Sequence, residues 1–143
     1  MIKEEHYHKL ERMYLSAPIN EFYAPSISIS KGQAEIKTEV KPEFFHAAGS
    51  LHGSVYFKLL DDAAFFAVNS LVEDFFVLTV SFNIYLTRPV IKGVLVAKGQ
   101  VVSRSSNYFV AESVLTANNK EVARGSGSFL RSRIKLAEVD RYK

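Results

Sequence analysis

The chain has 143 residues, of which 48% are apolar and 23% charged, and its formal net charge is +3. This length fits one ordinary domain, and this composition excludes a disordered chain. The sequence has no cysteine, which excludes disulfides, thiolate metal sites and cysteine nucleophiles. A charge of +3 is too small to indicate nucleic-acid binding.

The sequence also shows no pattern typical of a targeting segment. The first residues are acidic where a secretory signal needs basic ones, and no apolar run approaches the ~20 residues that span a bilayer. We therefore expect a cytoplasmic protein with neither membrane nor nucleic-acid partners. No repeat or linker interrupts the sequence, so we expect a single domain over residues 1–143, with residues 1–22 as an N-terminal helical extension.

The N-terminal segment, from Ile2 to about Leu15, is rich in charge with a few apolar residues. It predicts an exposed helix that ends before Pro18. His6 and His8 are two residues apart and cannot share a helix face, so we expect both to be solvated.

A central helix is predicted for Ser54–Leu71, the longest stretch without a helix breaker. At 100° per residue its apolar side chains cover nearly the whole circumference. Lys58, Asp62 and Asn69 form a narrow polar strip, and Lys58 precedes Asp62 by one turn. The pattern predicts a buried helix with one solvated edge, where these two residues form an ordinary ion pair.

Alternating apolar and polar residues predict strands on both sides of this helix. The runs are Ser26–Ser30, Ala34–Val40, Val80–Leu86, Gly93–Ser103, Tyr108–Asn118 and Glu121–Ser132. The short polar connections between consecutive strands require antiparallel neighbours. We therefore predict an α+β fold in which an antiparallel sheet curls around the helix.

Asp61 is the first candidate for chemistry. Phe57 lies one helical turn before it and Phe65 one turn after it, so its carboxylate loses hydration and becomes more basic. A buried carboxylate is costly unless something uses or pairs it. The alternative is a structural role, in which Asp61 caps a backbone group or meets an arginine from a strand.

Gly53, at the start of the predicted helix, is the second candidate. Free N–H groups and the positive end of the helix dipole lie there, and glycine lets a ligand oxygen approach the amide. Such a donor stabilises a developing oxyanion. The alternative is that Gly49 and Gly53 only allow a tight turn.

His46 and His52 precede this helix, but a metal site would need a third ligand and no metal-ligand spacing is present, so we expect no metal.

The segment Gly49–Ser54, followed by Leu59–Asp61 and Ala63-Ala64, resembles the H-G-G-x-x-x-x-L-x-D-x-A signature of hotdog-fold acyl-CoA thioesterases, in the phenylacetyl-CoA thioesterase-like branch. Thr79–Pro89 and Val122–Phe129 are similar to strands of that family. The resemblance covers roughly residues 26–132. It implies a hotdog fold, with a long central helix wrapped by five to six antiparallel strands. It also implies a homodimer, or a homotetramer built from dimers, with active sites between subunits.

The resemblance also implies roles for individual residues. Asp61 would attack the thioester or activate a water, and the Gly53 amide would polarise the carbonyl. Thr79 matches a Ser/Thr position that orients the water or the acid. His46 stands where the family often has an asparagine, and it would donate a hydrogen bond to the thioester. His52 would support the loop.

The substrate-binding candidates are His52, Ser54, Phe57, Phe65, Arg88 and Arg104. The first two lie at the helix start, and Ser54 replaces the second glycine of the signature. The phenylalanines favour an apolar acyl pocket. The arginines are candidates for the phosphates of coenzyme A. Thr79 has the opposite parity to Phe82, so a regular strand would turn it away from the helix.

We expect hydrolysis of an acyl-CoA or acyl-carrier-protein thioester to acid and thiol, with no cofactor apart from the coenzyme A of the substrate. Two alternatives remain open. One is a hotdog dehydratase or hydratase acting on 3-hydroxyacyl or enoyl thioesters, for which His46 would move the proton. The other is a module that binds acyl-CoA without turnover.

Overall fold

In a computed structural model that describes all 143 residues, a six-stranded antiparallel sheet wraps around one long helix. The helices are α1 (Glu4–Ser16), α2 (Ile19–Tyr23) and α3 (Gly53–Asn69), and the strands are β1 (Ser26–Ser30), β2 (Gln33–Glu39), β3 (Phe75–Leu86), β4 (Val94–Arg104), β5 (Tyr108–Ala117) and β6 (Lys120–Lys135). The strand order is β1-β2-β4-β5-β6-β3, and all neighbours are antiparallel. The predicted hotdog fold with an additional N-terminal helix is confirmed.

The concave face of the sheet buries α3. Leu59, Leu60 and Ala63 are fully buried against it. The backbones of helix and sheet come close at Gly99 of β4, where a Cβ atom would lie 2.2 Å from the carbonyl oxygen of Ala63. No larger residue fits there without displacing backbone, so this glycine sets the distance between helix and sheet.

The N-terminal helix is partly buried, contrary to the sequence prediction for its first histidine. His6 is only 4% exposed. Its Nε2 donates to the carbonyl of Asn69 at 2.8 Å, and its Nδ1 lies 2.6 Å from the hydroxyl of Tyr142. These partners are distant in sequence, so a local pattern could not reveal them. His8 is exposed, as predicted.

The polar strip of α3 is not a solvated edge. Asn69 is fully buried, donates to the carbonyls of Val72 and Phe75, and accepts from the N–H of Val77. It therefore ties the end of α3 to the start of β3. Tyr14 of α1 and Tyr23 of α2 lie against Lys58 and Asp62, the rest of the strip, although the sequence interpretation had placed α1 in solvent.

A β-bulge interrupts β3 beside the middle of α3. Thr79 pairs with Phe129 of β6, but Ser81 pairs with the preceding residue Ser128, so Val80 is an extra residue. A bulge resets the alternation of side chains along a strand. Thr79 and Phe82 consequently both face α3, although their parities differ.

The strand β3 forms one edge of the sheet and pairs only with β6. It is twelve residues long and exposes apolar side chains, including Val80 and Tyr85. Natural proteins rarely leave such an edge unprotected.

None of the helices has both the length and the apolar character required to traverse a bilayer.

Candidate active site

Asp61 lies midway along α3 and faces the bulge of β3. The hydroxyl of Thr79 donates a hydrogen bond to its Oδ1 at 2.9 Å. Partial burial is the main cause that raises the pKa of Asp61 from 3.8 to about 6, and the Thr79 hydrogen bond opposes the rise. At neutral pH the group is therefore mostly ionised, and it is more basic than an ordinary aspartate.

A cavity of about 390 Å³ opens beside this carboxylate. Its wall contains Asp61 and Thr79 together with apolar side chains from α1, α2, α3 and β3. The apolar contributors are Met13, Tyr14, Ala17, Ile19, Phe65, Phe66, Phe76 and Leu78. Asn20, Lys58 and Asp62 complete the lining. A mostly apolar cavity with the Asp61 carboxylate in its wall suits an acyl group whose carbonyl lies at Asp61.

The amide of Gly53, at the N-terminus of α3, is a free donor. His52 is the N-cap, and its Nδ1 accepts from the N–H of Ser54 at 3.0 Å and lies 2.8 Å from the Ser54 hydroxyl. The N–H of Val55 donates to the carbonyl of His52. These bonds leave the amide of Gly53 without a protein acceptor, at the positive end of the helix dipole.

Gly53 and Asp61 of one chain are too far apart to act on one carbonyl group. Eight residues of α-helix rise about 12 Å, whereas a base and an oxyanion donor must lie within hydrogen-bond reach of the same thioester. A site that uses both groups therefore needs the α3 N-terminus of a second copy.

His46 lies in the exposed loop before α3, where the sequence interpretation put it. Its Nδ1 accepts from the N–H of Ala48 at 3.0 Å, and its Nε2 lies 2.9 Å from the hydroxyl of Ser50. Because Nδ1 accepts, the proton is on Nε2 in the neutral ring. The side chain is held by its own loop, and its predicted contact with the thioester stays a prediction.

The two phenylalanines that flank Asp61 on α3 have different surroundings. Phe65 lines the cavity and packs edge-on against Phe66. Phe57 is 41% exposed and packs edge-on against Phe82. Phe65 is thus available to an acyl group within this chain, whereas Phe57 lies outside the cavity wall.

The two candidate arginines lie at opposite ends of the sheet. Arg88 follows β3, and its carbonyl accepts from the hydroxyl of Tyr56 in the first turn of α3. It lines a surface cleft of about 420 Å³ together with Lys92 and Lys120. Arg104 ends β4 at the far side and pairs with Phe109. The sequence interpretation missed the two lysines, whose charges carry no periodic signal.

The sequence interpretation also missed the contribution of α1 and α2 to the cavity. Met13 and Tyr14 follow Leu10 at helical spacing, and all three are buried. This i, i+3, i+4 pattern was the available signal for a packed face. The high charge of the segment had favoured an exposed helix instead.

The middle of the chain matches a known family. Residues 48–123, more than half of the chain, match the sequence profile of the thioesterase superfamily. The matched segment contains all of α3 and β3, and thus Gly53, Asp61 and Thr79. The chain therefore belongs to the thioesterase superfamily, and its enzymatic class is thioester hydrolase.

Solved structures resemble the whole fold. The PaaI protein of the Escherichia coli phenylacetic acid degradation operon is 22% identical, with a TM-score of 0.85 over 94% of this chain and 99% of that chain. A thioesterase family protein from Silicibacter pomeroyi is 22% identical, with a TM-score of 0.80 over 87% and 96%. A mutant of the phenylacetic acid degradation protein PaaI from Thermus thermophilus is 21% identical, with a TM-score of 0.74 over 81% and 100%.

At these identities the similarity establishes the fold, and it agrees with the resemblance to the phenylacetyl-CoA thioesterase-like branch. No curated protein matches the sequence.

Proposed function

We propose that this protein hydrolyses the thioester of an acyl-CoA or an acyl-carrier protein, with Asp61 as general base or nucleophile. The proposal depends on one observation, the partly buried Asp61 carboxylate that Thr79 holds in the wall of an apolar cavity. The acyl group occupies the cavity, and its carbonyl carbon lies next to Asp61.

In the general-base route, Asp61 takes a proton from a water molecule whose oxygen bonds to the carbonyl carbon. The tetrahedral intermediate then breaks its carbon–sulfur bond, and the thiolate takes the proton from Asp61. In the nucleophilic route, a carboxylate oxygen of Asp61 bonds to the carbon, and the carbon–sulfur bond breaks to release the thiolate. Water then splits the mixed anhydride into the free acid and protonated Asp61, which gives its proton to the thiolate. Neither route needs a metal or a redox cofactor, and coenzyme A takes part only as a portion of the substrate.

The Gly53 amide of a second copy stabilises the oxyanion. This assignment is supported by the free N–H of Gly53 and by the ~12 Å rise that separates it from Asp61 on its own helix. The exposed edge of β3 suits a symmetric homodimer, because antiparallel pairing of two β3 strands aligns two α3 helices in opposite directions. The N-terminus of each helix then approaches the middle of the other. Two such dimers could further associate as a tetramer.

The cleft of Arg88, Lys92 and Lys120 beside the α3 N-terminus suits the phosphates of the carrier. This placement predicts that Arg88→Ala together with Lys92→Ala raises the KM for an acyl-CoA. The KM for the matching acyl-N-acetylcysteamine, which lacks the nucleotide, should not change. An equal effect on both substrates would remove the cleft from the proposal.

The first experiment is a hydrolysis assay that detects free thiol with a panel of acyl-CoAs, for the wild type and Asp61→Asn. Loss of the base should lower kcat by ~10²–10⁴-fold. Crotonyl-CoA is tested separately by following the absorbance of its enoyl thioester, because hydration of the double bond releases no thiol and would indicate a dehydratase instead. A twofold loss in Asp61→Asn would exclude Asp61 from the chemistry.

The role of Gly53 can be isolated by Gly53→Pro. Proline is favoured at the first position of a helix, and His52 already has the extended backbone (φ −67°, ψ 142°) that a residue before proline requires. This variant should fold but lose the donor, with a ~10²–10³-fold lower kcat. Gly53→Ala is the matched control, because its Cβ would meet only Leu86 Cδ1 at 3.5 Å and the N–H remains.

Mixing the two inactive variants tests the shared site. In a heterodimer of Asp61→Asn and Gly53→Pro chains, one site carries both defects and the other is intact. Random subunit exchange should therefore restore about a quarter of the wild-type activity. No recovery despite proven exchange would mean that both groups act within one chain.

A single turnover in ¹⁸O-water distinguishes the two chemical routes. With enzyme in excess, a general base sends ¹⁸O directly into the acid product. A nucleophilic Asp61 gives an unlabelled acid whenever water attacks the aspartyl carbon of the anhydride, and the label then appears in Asp61 itself.

A further inference from the structure

A charged cluster lies next to Asp61 on α3. The Nζ atom of Lys58 is 2.5 Å from Oδ2 of Asp62, and the hydroxyl of Tyr14 donates to the same oxygen at 2.7 Å. The side chains of Lys58 and Asp62 are only 12% and 19% exposed. This ion pair is therefore largely desolvated, and both of its residues line the cavity that contains Asp61.

The N-terminal helices enclose this cluster. The Lys58 ammonium group lies 5.2 Å from the ring centroid of Tyr14 in α1 and 4.9 Å from that of Tyr23 in α2. Aromatic faces attract a cation at these distances. The helices α1 and α2 thus supply a hydrogen bond to the anion and two aromatic faces to the cation.

Fold stability gives little reason for such a cluster. A buried ion pair loses much of its Coulomb energy to desolvation, and apolar residues in its place are often equally stable. The pair is distinguished by its position next to the candidate base. Lys58 lies three residues before Asp61 on α3, and Asp62 directly follows Asp61.

Their charges act on Asp61 in opposite directions. The neighbouring carboxylate of Asp62 raises the pKa of Asp61, and Lys58 lowers it. From β3, Thr79 also lowers it through its hydrogen bond. The two tyrosines of α1 and α2 are neutral at physiological pH, because burial raises their pKa above the ordinary value.

We propose that Lys58, Asp62 and Tyr14, clustered beside Asp61 in the wall of the same cavity, are positioning residues whose balance of charge adjusts the pH at which the enzyme becomes active. Lys58 and Tyr14 offset the charge of Asp62, which by itself would disfavour ionisation of the neighbouring Asp61. The N-terminal extension thereby takes part in the reaction without touching the reacting atoms. This inference rests on the proposed function of Asp61.

The test is the pH profile of kcat/KM between pH 4.5 and 9, measured with the best acyl-CoA of the panel. Lys58→Met leaves Asp62 uncompensated, so the midpoint of the acidic limb should move up by about 0.5–1 pH unit. Asp62→Asn leaves Lys58 uncompensated and should move it down by a similar amount. The double variant should return it close to the wild-type midpoint.

Lys98→Met is the matched control, because this lysine is exposed on β4 and its loss changes the net charge equally. Its profile should coincide with that of the wild type. If Lys58→Met and Asp62→Asn lower kcat without moving the midpoint, or move it in the same direction, the cluster is only structural and the proposal is wrong. Should Lys58→Met not fold, Asp62→Asn alone still tests the sign of the shift.

A ¹³C NMR titration of aspartate carboxyl groups provides a readout without substrate, with the Asp61 signal assigned by its loss in Asp61→Asn. The same opposite shifts should appear in the titration midpoint of Asp61. A wild type that titrates and shifts as expected but hydrolyses no thioester would refute the proposed function and leave this inference standing. Thioester hydrolysis by the wild type, with no shift of the Asp61 titration midpoint in Lys58→Met and Asp62→Asn, would refute this inference and leave the proposed function standing.

Discussion

Replacing Asp61 by asparagine should make the protein more stable, although it removes the proposed base. The folded state raises the pKa of this carboxyl from 3.8 to about 6. One pKa unit corresponds to 1.36 kcal/mol, so the ionised carboxylate destabilises the fold by about 3 kcal/mol well above pH 6. Asparagine removes this charge, and its Oδ1 can still accept the hydrogen bond from Thr79.

The stability that Asp61→Asn gains over the wild type should increase with pH. Well below pH 3.8, Asp61 is protonated in both the folded and unfolded states, and its ionisation contributes nothing to the difference between variants. As pH rises from about 4 to 6 the unfolded chain loses this proton first, so the wild type loses stability relative to Asp61→Asn. The expected gain is about 1.6 kcal/mol at pH 5 and about 3 kcal/mol at pH 8.

Urea denaturation at pH 5 and pH 8 measures this difference. Protein concentration must be equal in all samples, because dimerisation would couple stability to concentration. Thr79→Ser is a suitable control, since it keeps the hydroxyl donor and leaves the carboxylate in place. A gain that is the same at both pH values, or a less stable Asp61→Asn, would refute the view that Asp61 is held in a desolvated site.

Three further substitutions test other parts of the structure. Thr79→Val removes the hydrogen bond that lowers the pKa of Asp61, so the acidic limb of kcat/KM should move up by roughly one pH unit; an unchanged midpoint would contradict this role. His6→Gln should cost ~1–3 kcal/mol in urea denaturation at pH 8. Because burial lowers the pKa of His6, the wild type should lose stability as the pH falls from 6.5 through that lowered pKa, and His6→Gln should not. If the stability of wild type and variant depends on pH in the same way, His6 is not buried in the folded protein. Gly99→Ala should lower the free energy of unfolding by at least ~2 kcal/mol because of the contact with Ala63, and a neutral result would mean that helix and sheet separate easily.

Much of the architecture could be predicted from local patterns. The nearly continuous apolar surface of Ser54–Leu71 indicated a buried helix, and α3 occupies Gly53–Asn69. The alternating runs gave all six strands to within a few residues, except that β3 begins at Phe75. Its first residues form a continuous apolar run, in which alternation gives no signal.

The errors concern contacts between residues far apart in sequence. His6 and Asn69 were expected in solvent because polar residues usually lie there, yet each is buried with its hydrogen bonds satisfied. Lys58 and Asp62 are partly buried because Tyr14 of α1 packs against them, and the place where such a charged helix packs cannot be derived from its own sequence. Local periodicity identifies the apolar face of such a helix but not the surface it will meet.

The candidate site was predictable where it follows the helix repeat. The positions of Phe57 and Phe65 around Asp61 indicated a desolvated carboxylate, in agreement with its raised pKa. The hydrogen bond from Thr79 could not be derived in this way, since its parity placed it on the wrong side of a regular strand.

The single extra residue in β3 has a consequence for mutation and for transplantation of this centre. Deleting Val80 would give the edge strand uninterrupted pairing, yet it would rotate Thr79 outward and leave the Asp61 carboxylate without its hydroxyl partner. Regular pairing along β3 would thus remove the hydrogen bond on which the proposed base depends. A transfer of the Asp–Thr pair to another helix and sheet would have to include the bulge along with the two side chains.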